Sequence, residues 1–133
     1  MGLSLSLTAQ DITGDWENID EETGEVNSVI NIYKVDDEYF GKIIHIIKPE
    51  ERDNLCTKCK GDLKNKPILG MHILNNLKKD GERYSGGQIF DPKTGKEYRA
   101  EIWIDEENSN KLNVRGYIAF FYDTREWIRK VKN

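Results

Sequence analysis

Apolar and polar residues alternate along short stretches of this chain, and turn signals separate these stretches about every ten residues from Asp11 onward. Between Tyr39 and Ile47, for example, two sets of alternate residues define two different faces. This pattern predicts β-strands. We expect about eight antiparallel strands joined mostly by short turns, which is typical of a single all-β, up-and-down barrel. A two-sheet sandwich is the alternative.

The turns also indicate where the strands lie. A long polar segment at 48–66 interrupts the rhythm, and its length predicts either a lid or a cross-linked loop. The apolar stretch that follows it, 68–77, fits a strand or a short helix. The first strand begins at Gly14, and the remaining strands are predicted at 26–35, 39–47, within 84–104 on both sides of a turn at 91–95, 111–119 and 125–131.

A pair of glycines lies inside the predicted strand that begins at Tyr84. Gly86 and Gly87 occupy positions where side chains normally help a strand to pack, so we predict a bulge or bend there. Asp91 precedes Pro92 and is expected to be an ordinary turn residue, although it is also a candidate ligand group. The glycine pair therefore predicts the place at which the sheet curves.

Composition narrows the classes of function. The chain has 133 residues and a net charge of −4, with basic and acidic residues intermixed. A single domain is expected, without a basic surface for nucleic acid. No apolar run approaches the roughly 18 residues of a membrane span. We identify no cofactor motif and no nucleophile in a catalytic setting, and we therefore predict a protein that is not an enzyme.

The first ten residues differ from the rest. Leu3, Leu5, Leu7 and Ala9 resemble the end of an apolar segment before a small-residue cleavage site. We interpret 1–10 as a signal-peptide remnant behind an introduced start and 11–133 as the barrel domain. An exported protein, periplasmic or secreted, is then expected. A first strand and a myristoylation signal are the alternatives for 1–10.

Cys56 and Cys59 form a Cys-x-x-Cys motif in the long polar segment. A local disulfide is natural in an exported protein. A zinc site is the alternative, in which His72 and His45 would complete the ligand set. Free thiols are a third possibility, whereas a redox dithiol would need a βαβ context that this chain lacks.

Two resemblances add to this picture. Gly14 and Trp16 resemble the G-x-W signature of lipocalins and related calycin barrels. That resemblance implies that Trp16 closes one end of the barrel and that a basic residue of the last strand packs across it. Arg125 and Arg129, which flank Trp127, are the candidates.

The chain also resembles the bacterial family called domain of unknown function 2147 over about a hundred residues. The motifs that carry this resemblance, including the late Trp127, are 40–43, 67–71, 85–92, 95–98 and 112–117. It implies an exported protein with a lipocalin-like barrel and brings no established activity. The Cys-x-x-Cys segment departs from the usual family pattern.

The predicted function is a binding module for a small, partly apolar ligand. An eight-stranded barrel is wide enough to hold one such molecule, or to be filled by its own side chains. Tyr98, Arg115 and Tyr117 are the candidate ligand-binding residues, although Arg115 also fits a structural ion pair with a carboxylate such as Glu101. The alternatives are a module that binds an envelope protein and a zinc or thiol site at the Cys loop.

Overall fold

Eight antiparallel strands form a closed barrel in the computed structural model, which describes residues 11–131. Each strand pairs with the next one along the chain, and the last pairs with the first. The predicted all-β barrel is confirmed, and the sandwich alternative is wrong. The strands are β1 (Gly14–Ile19), β2 (Val26–Val35), β3 (Glu38–Ile46), β4 (His72–Asp80), β5 (Arg83–Asp91), β6 (Lys96–Ile104), β7 (Lys111–Ile118) and β8 (Phe121–Arg129).

The observed elements differ from the predicted ones in two places. The ambiguous stretch at 68–77 enters a strand only at His72, and the closing strand begins at Phe121 rather than Arg125. Two short 3-10 helices, Pro49–Glu51 and Gly61–Leu63, lie in the long segment between β3 and β4. The predicted signal-peptide remnant at 1–10 lies outside the described residues. Within 11–131, no helix is both long enough and apolar enough to cross a membrane.

Large apolar side chains occupy the inside of the barrel. Eight of its residues have at most 1% of their surface exposed: Ile12, Trp16, Ile30, Ile32, Leu74, Leu77, Ile102 and Leu112. Side chains pack closely around two inward-facing glycines, Gly41 and Gly116. A methyl group added at Gly41 would lie 3.1 Å from Leu74 Cδ1, and one added at Gly116 would lie 3.2 Å from Tyr98 Cβ. The chain's own side chains therefore fill much of the interior.

The glycine pair lies where the pairing between β5 and β6 changes register. Tyr84 faces Ile102 and Gly87 faces Ala100, so β5 carries one extra residue in this interval. Gly86 has a φ of 80°, a conformation that glycine adopts at little cost. A methyl group added at Gly87 would lie 2.1 Å from the backbone oxygen of Asn75. The bulge and the close approach of β4 both depend on these two glycines.

Trp16 and Arg129 close one end of the barrel. Trp16 is fully buried, its indole Nε1 donates a hydrogen bond to the Ile12 carbonyl at 2.8 Å, and Arg129 lies directly opposite it in the β1–β8 pairing. The Arg129 guanidinium carbon lies 4.3 Å from the centre of the indole ring. Burial lowers the pKa of Arg129, while the charge of Asp11 acts in the opposite direction. Trp127, also buried, pairs with Asn18 in the same seam.

Replacing Trp16 with Ala is expected to lower the free energy of unfolding by about 3–5 kcal/mol, because it empties a buried aromatic site and removes the ring under Arg129. Urea unfolding followed by circular dichroism measures the change. Phe120→Ala is the matched control, since Phe120 is 83% exposed, and we expect a change within about 0.5 kcal/mol. Equal unfolding midpoints for the Trp16 variant and wild type would contradict the role of Trp16 in closure.

Ionisation of the Tyr84 phenol should make the stability of the protein depend on pH. This residue is buried and packs edge-on against Tyr39 at 4.9 Å. Burial, assisted by the charge of Asp11, raises the pKa of Tyr84 to about 12. Above pH 10 the phenol of the unfolded chain ionises before that of the folded chain, so the free energy of unfolding should fall as the pH rises toward 12. Urea unfolding at pH 8 to 11 measures this slope.

Tyr84→Phe is the matched variant, because it keeps the ring and removes the ionisable group. Other tyrosines and lysines also titrate in this range, so the difference between the two proteins is the informative quantity. The slope should be smaller in Tyr84→Phe. Identical slopes would show that Tyr84 does not contribute.

Candidate functional site

The three candidate ligand-binding residues do not share one face of the barrel. Tyr98 packs inside, since its Cβ lies close to Gly116. Arg115 and Tyr117 alternate with the inward residues Val114 and Gly116, and they point outward. The structure thus brings Arg115 and Tyr117 together and separates Tyr98 from them.

The outward residues of β5 to β8 form what we call the arginine–aromatic cluster. Strand pairing brings its members side by side, since Arg83 faces Trp103, Glu101 faces Arg115, and Arg99 faces Tyr117. Of these residues, sequence reasoning gave only Arg115 and Tyr117 as a candidate site, because contacts between neighbouring strands depend on their register. For Arg83, that register changes at the Gly86 bulge. The members are Arg83, Arg99, Glu101, Trp103, Arg115, Tyr117 and Tyr122.

Hydrogen bonds hold the centre of the cluster. Arg83 contacts Glu101 Oε1 at 2.9 Å, and the Tyr117 hydroxyl donates to the same oxygen at 3.0 Å. Arg115 donates through Nε to the Thr124 hydroxyl at 2.7 Å and through a terminal nitrogen to the Tyr117 oxygen at 3.4 Å. Glu101 therefore forms its ion pair with Arg83 and not, as expected, with Arg115. The Tyr117 hydroxyl lies between Arg115 and Glu101 and is hydrogen-bonded to both.

Aromatic rings flank the guanidinium groups of the cluster. The Arg83 guanidinium carbon lies 3.9 Å from the centre of the Trp103 ring. That of Arg115 lies 4.9 Å from Trp103 and 4.2 Å from Tyr122. Such stacking fixes the plane of a guanidinium group and leaves its charge in place. In the described part of the chain, neither Arg99 nor Arg115 has a carboxylate within 4 Å.

A cleft of about 410 Å³ opens beside the cluster at the Gly86 bulge. Arg99, Glu101 and Tyr117 supply its charged and aromatic groups, and the exposed Gly86 adds a position without a side chain to its lining. Arg99 also donates to the Ala119 carbonyl at 3.0 Å, which fixes the direction of its side chain. The lining residues are Ser85, Gly86, Gly87, Gln88, Arg99, Ala100, Glu101 and Tyr117.

The Cys loop is a second, separate feature. A disulfide joins Cys56 and Cys59, and no cysteine within 11–131 is free. Both cysteines are buried and form a small apolar cluster with Met71 and Phe90. The loop packs on the turn after Asp91, since a methyl group added at Gly95 would lie 2.1 Å from the Lys58 carbonyl oxygen. Thus the long segment is a packed, cross-linked loop.

The alternative zinc site is not assembled. Both cysteine sulfurs are committed to the disulfide, and His72 contacts the Tyr33 hydroxyl on the outer surface. Within 11–131, no three His, Cys, Asp or Glu side chains converge in a way that could hold a metal ion. The described structure therefore does not gather Cys56, Cys59, His72 and His45 into one ligand set.

Asp91 is a turn residue in the structure. Its carboxylate accepts from the Lys93 amide at 2.9 Å and from the Thr94 hydroxyl at 3.3 Å, and its carbonyl accepts from the Gly95 amide. These bonds build the β5–β6 turn. The bonds that Asp91 makes are therefore those of a turn.

A small closed barrel with eight strands, plugged at one end by a tryptophan under an arginine, is a lipocalin-like barrel. A solved structure described as protein HP1028 from the human pathogen Helicobacter pylori, which belongs to the lipocalin family, has a similar fold. The TM-score is 0.77 at 17% identity, over 91% of this chain and 84% of that one. The chain belongs to the family described as uncharacterized protein conserved in bacteria (DUF2147), whose model matches residues 14–129. No curated protein is detectably similar to it.

Reducing the Cys56–Cys59 disulfide should loosen the 48–66 loop and leave the barrel folded. The loop closed by this bond is only a few residues long, so the constraint on the unfolded chain is worth about 2 kcal/mol at most. Hydrogen exchange with and without reductant should show faster exchange in 48–66 and little change in the β1–β8 seam. Global unfolding on reduction would contradict this expectation, as would destabilisation by a chelator.

Proposed function

We propose that this protein is an exported, non-enzymatic module that binds a small, partly apolar anion in the cleft beside the arginine–aromatic cluster. The observation that carries the proposal is the cleft itself, which combines an arginine, a tyrosine and exposed backbone. Its volume of about 410 Å³ lies within the usual range for small-molecule sites.

The interior of the barrel is the less suitable place for a ligand. Close contacts around Gly41 and Gly116 leave no room there even for added methyl groups without movement of their neighbours. A ligand inside would have to displace buried side chains such as Leu74. The lipocalin-like fold suits the binding of small molecules, but the filled interior favours the outer cleft.

The chemistry of the cleft defines the class of ligand. Arg99 has spare N–H donors beyond the one bound to Ala119, and they suit a carboxylate, phosphate or sulfonate. The Tyr117 ring offers a flat apolar surface beside it. Glu101 already accepts from Arg83 and Tyr117, an arrangement that suits orientation of a ligand better than proton transfer. A planar or apolar molecule with one anionic group fits these requirements.

Export is supported by the disulfide. A bond between Cys56 and Cys59 persists in oxidising compartments such as the periplasm or the exterior of the cell. The apolar stretch within 1–10 points in the same direction.

A second candidate is an interaction module for an envelope protein. Tryptophan, tyrosine and arginine are the residues that most often carry binding energy at protein interfaces. Trp103, Tyr122 and Arg83 present these groups on the outer surface. A photo-crosslinker placed at Trp103 tests this alternative in cells of the natural host. Capture of one envelope protein that is lost on Tyr122→Ala would favour it.

The cleft can be tested with 1-anilinonaphthalene-8-sulfonate, which joins apolar aromatic rings to one anionic group. Fluorescence titration should show saturable binding by wild type. Arg99→Gln should weaken that binding about tenfold or more, because a hydrogen bond to a charged group is worth about 1.5–3 kcal/mol. Lys42→Gln is the matched control, since Lys42 is an exposed cation on another strand, over the Tyr33 ring.

The same dye also binds exposed apolar surface, so a second control is needed. Phe120→Ser with Phe121→Ser should leave the Arg99-dependent part of the binding intact. Equal affinity for wild type and Arg99→Gln would contradict the assignment of the cleft. Native mass spectrometry of protein from its own host would then show whether another ligand is bound.

A further inference from the structure

The tip of the β7–β8 hairpin carries a continuous group of exposed apolar residues. Ile118 is 49% exposed, Phe120 83%, Phe121 70% and Tyr122 60%. Single exposed apolar residues are common on soluble proteins and need no explanation, whereas a contiguous group marks an interaction surface. We call Ile118–Tyr122 the hairpin tip.

The sequence of the tip is not the one that a hairpin turn favours. Strands β7 and β8 are joined through Ala119 and Phe120, where Asn and Gly would be common. Ala119 has a φ of 53°, which costs a residue with a side chain about 1–2 kcal/mol. The chain therefore accepts strain at a turn and exposes a phenylalanine there. Packing within the barrel explains neither feature, since Phe120 is almost fully exposed.

Two arginines lie behind the tip on the outer face. Arg99 donates to the Ala119 carbonyl at 3.0 Å, and the Arg115 guanidinium stacks on Tyr122 at 4.2 Å. Neither has a carboxylate within 4 Å in the described part of the chain. Asp123 follows the tip, but its carboxylate accepts from Arg125 at 3.0 Å. The hairpin tip is therefore apolar, and the positive charges of Arg99 and Arg115 lie next to it on the outer face.

The separation between Phe120 and the two arginines matches the dimensions of a membrane surface. Arg99 and Arg115 stand two to five residues behind Phe120, or roughly 7–16 Å at the rise of a β-strand. Amphipathic segments at membrane surfaces bury their apolar face about 5–10 Å into the boundary between headgroups and acyl chains. Aromatic rings favour that boundary, and arginine pairs with the phosphates above it.

We propose that the hairpin tip docks the protein on a phospholipid surface, with Phe120 and Phe121 inserted at the boundary and Arg99 and Arg115 at the phosphates. The tip is a convex turn, which a fluid lipid phase accommodates without a matching pocket. Charge complementarity favours anionic lipid. The apolar residues of the tip lie outside the lining of the ligand cleft, and Arg99 is the residue that the two surfaces share. The proposal does not require a ligand in the cleft.

Flotation of the full chain with phosphatidylethanolamine–phosphatidylglycerol vesicles tests the proposal. Wild type should float with the vesicles, and added salt should weaken the binding. Phe120→Ser combined with Phe121→Ser should reduce binding about tenfold or more. Val35→Ser is the matched control, because Val35 is 50% exposed at the opposite end of the barrel, and it should bind like wild type.

Insertion can be measured separately from binding. In Phe120→Trp, lipids brominated on the acyl chains should quench more fluorescence than they do in wild type, whose three tryptophans supply the background. Absence of vesicle binding would overturn the proposal, and so would equal binding by the double variant. A wild-type dimer that the double variant breaks, without lipid binding, would instead assign the tip to self-association.

Discussion

Closure of the barrel depends on the seam between β1 and β8, where Trp16 and Arg129 face each other. The indole fills the closed end and the guanidinium covers its face. An aromatic ring can stabilise a partly buried arginine without an ion pair to a carboxylate. The pair therefore joins the first and last strands and also excludes water from the end of the core. With this seam in place, the sheet closes on itself through three paired residues of each strand.

A barrel whose interior is largely occupied by its own side chains leaves more room for a ligand on its outer face. Bulky residues such as Ile30 and Leu74 occupy the interior, so polar groups with functional potential lie on the outer faces of β5 to β8. The glycine pair affects both the curvature of the barrel and the cleft on its outer face. Its bulge bends the sheet, and Gly86, where an added methyl group would meet nothing within 4 Å, lines the cleft beside Arg99. One local irregularity thus serves both the curvature of the sheet and the shape of the candidate site.

Much of this fold could be predicted from the sequence, because alternation along a strand depends only on neighbouring residues. Val26–Val35 was predicted with its observed bounds. The closing strand was predicted to begin at Arg125 and begins at Phe121, because Ala119 and Phe120 carry none of the usual residues of a tight turn. The cluster was predicted only in part, since the pairing of Arg83 with Glu101 depends on the register across Gly86. Such cross-strand contacts join residues far apart in the chain, and local patterns do not contain them.

Arg99 connects the two proposed sites. It lines the cleft, and its hydrogen bond to the Ala119 carbonyl ties it to the hairpin tip. A guanidinium group has several donors, so one can hold the tip while others remain for an anion. A tip inserted at a lipid boundary would also hold the cleft within about one strand length of the membrane surface. Partly apolar molecules partition into such a surface, and a partly apolar molecule is what the cleft is proposed to bind. The position of Arg99 therefore makes the two proposals compatible, although neither requires the other.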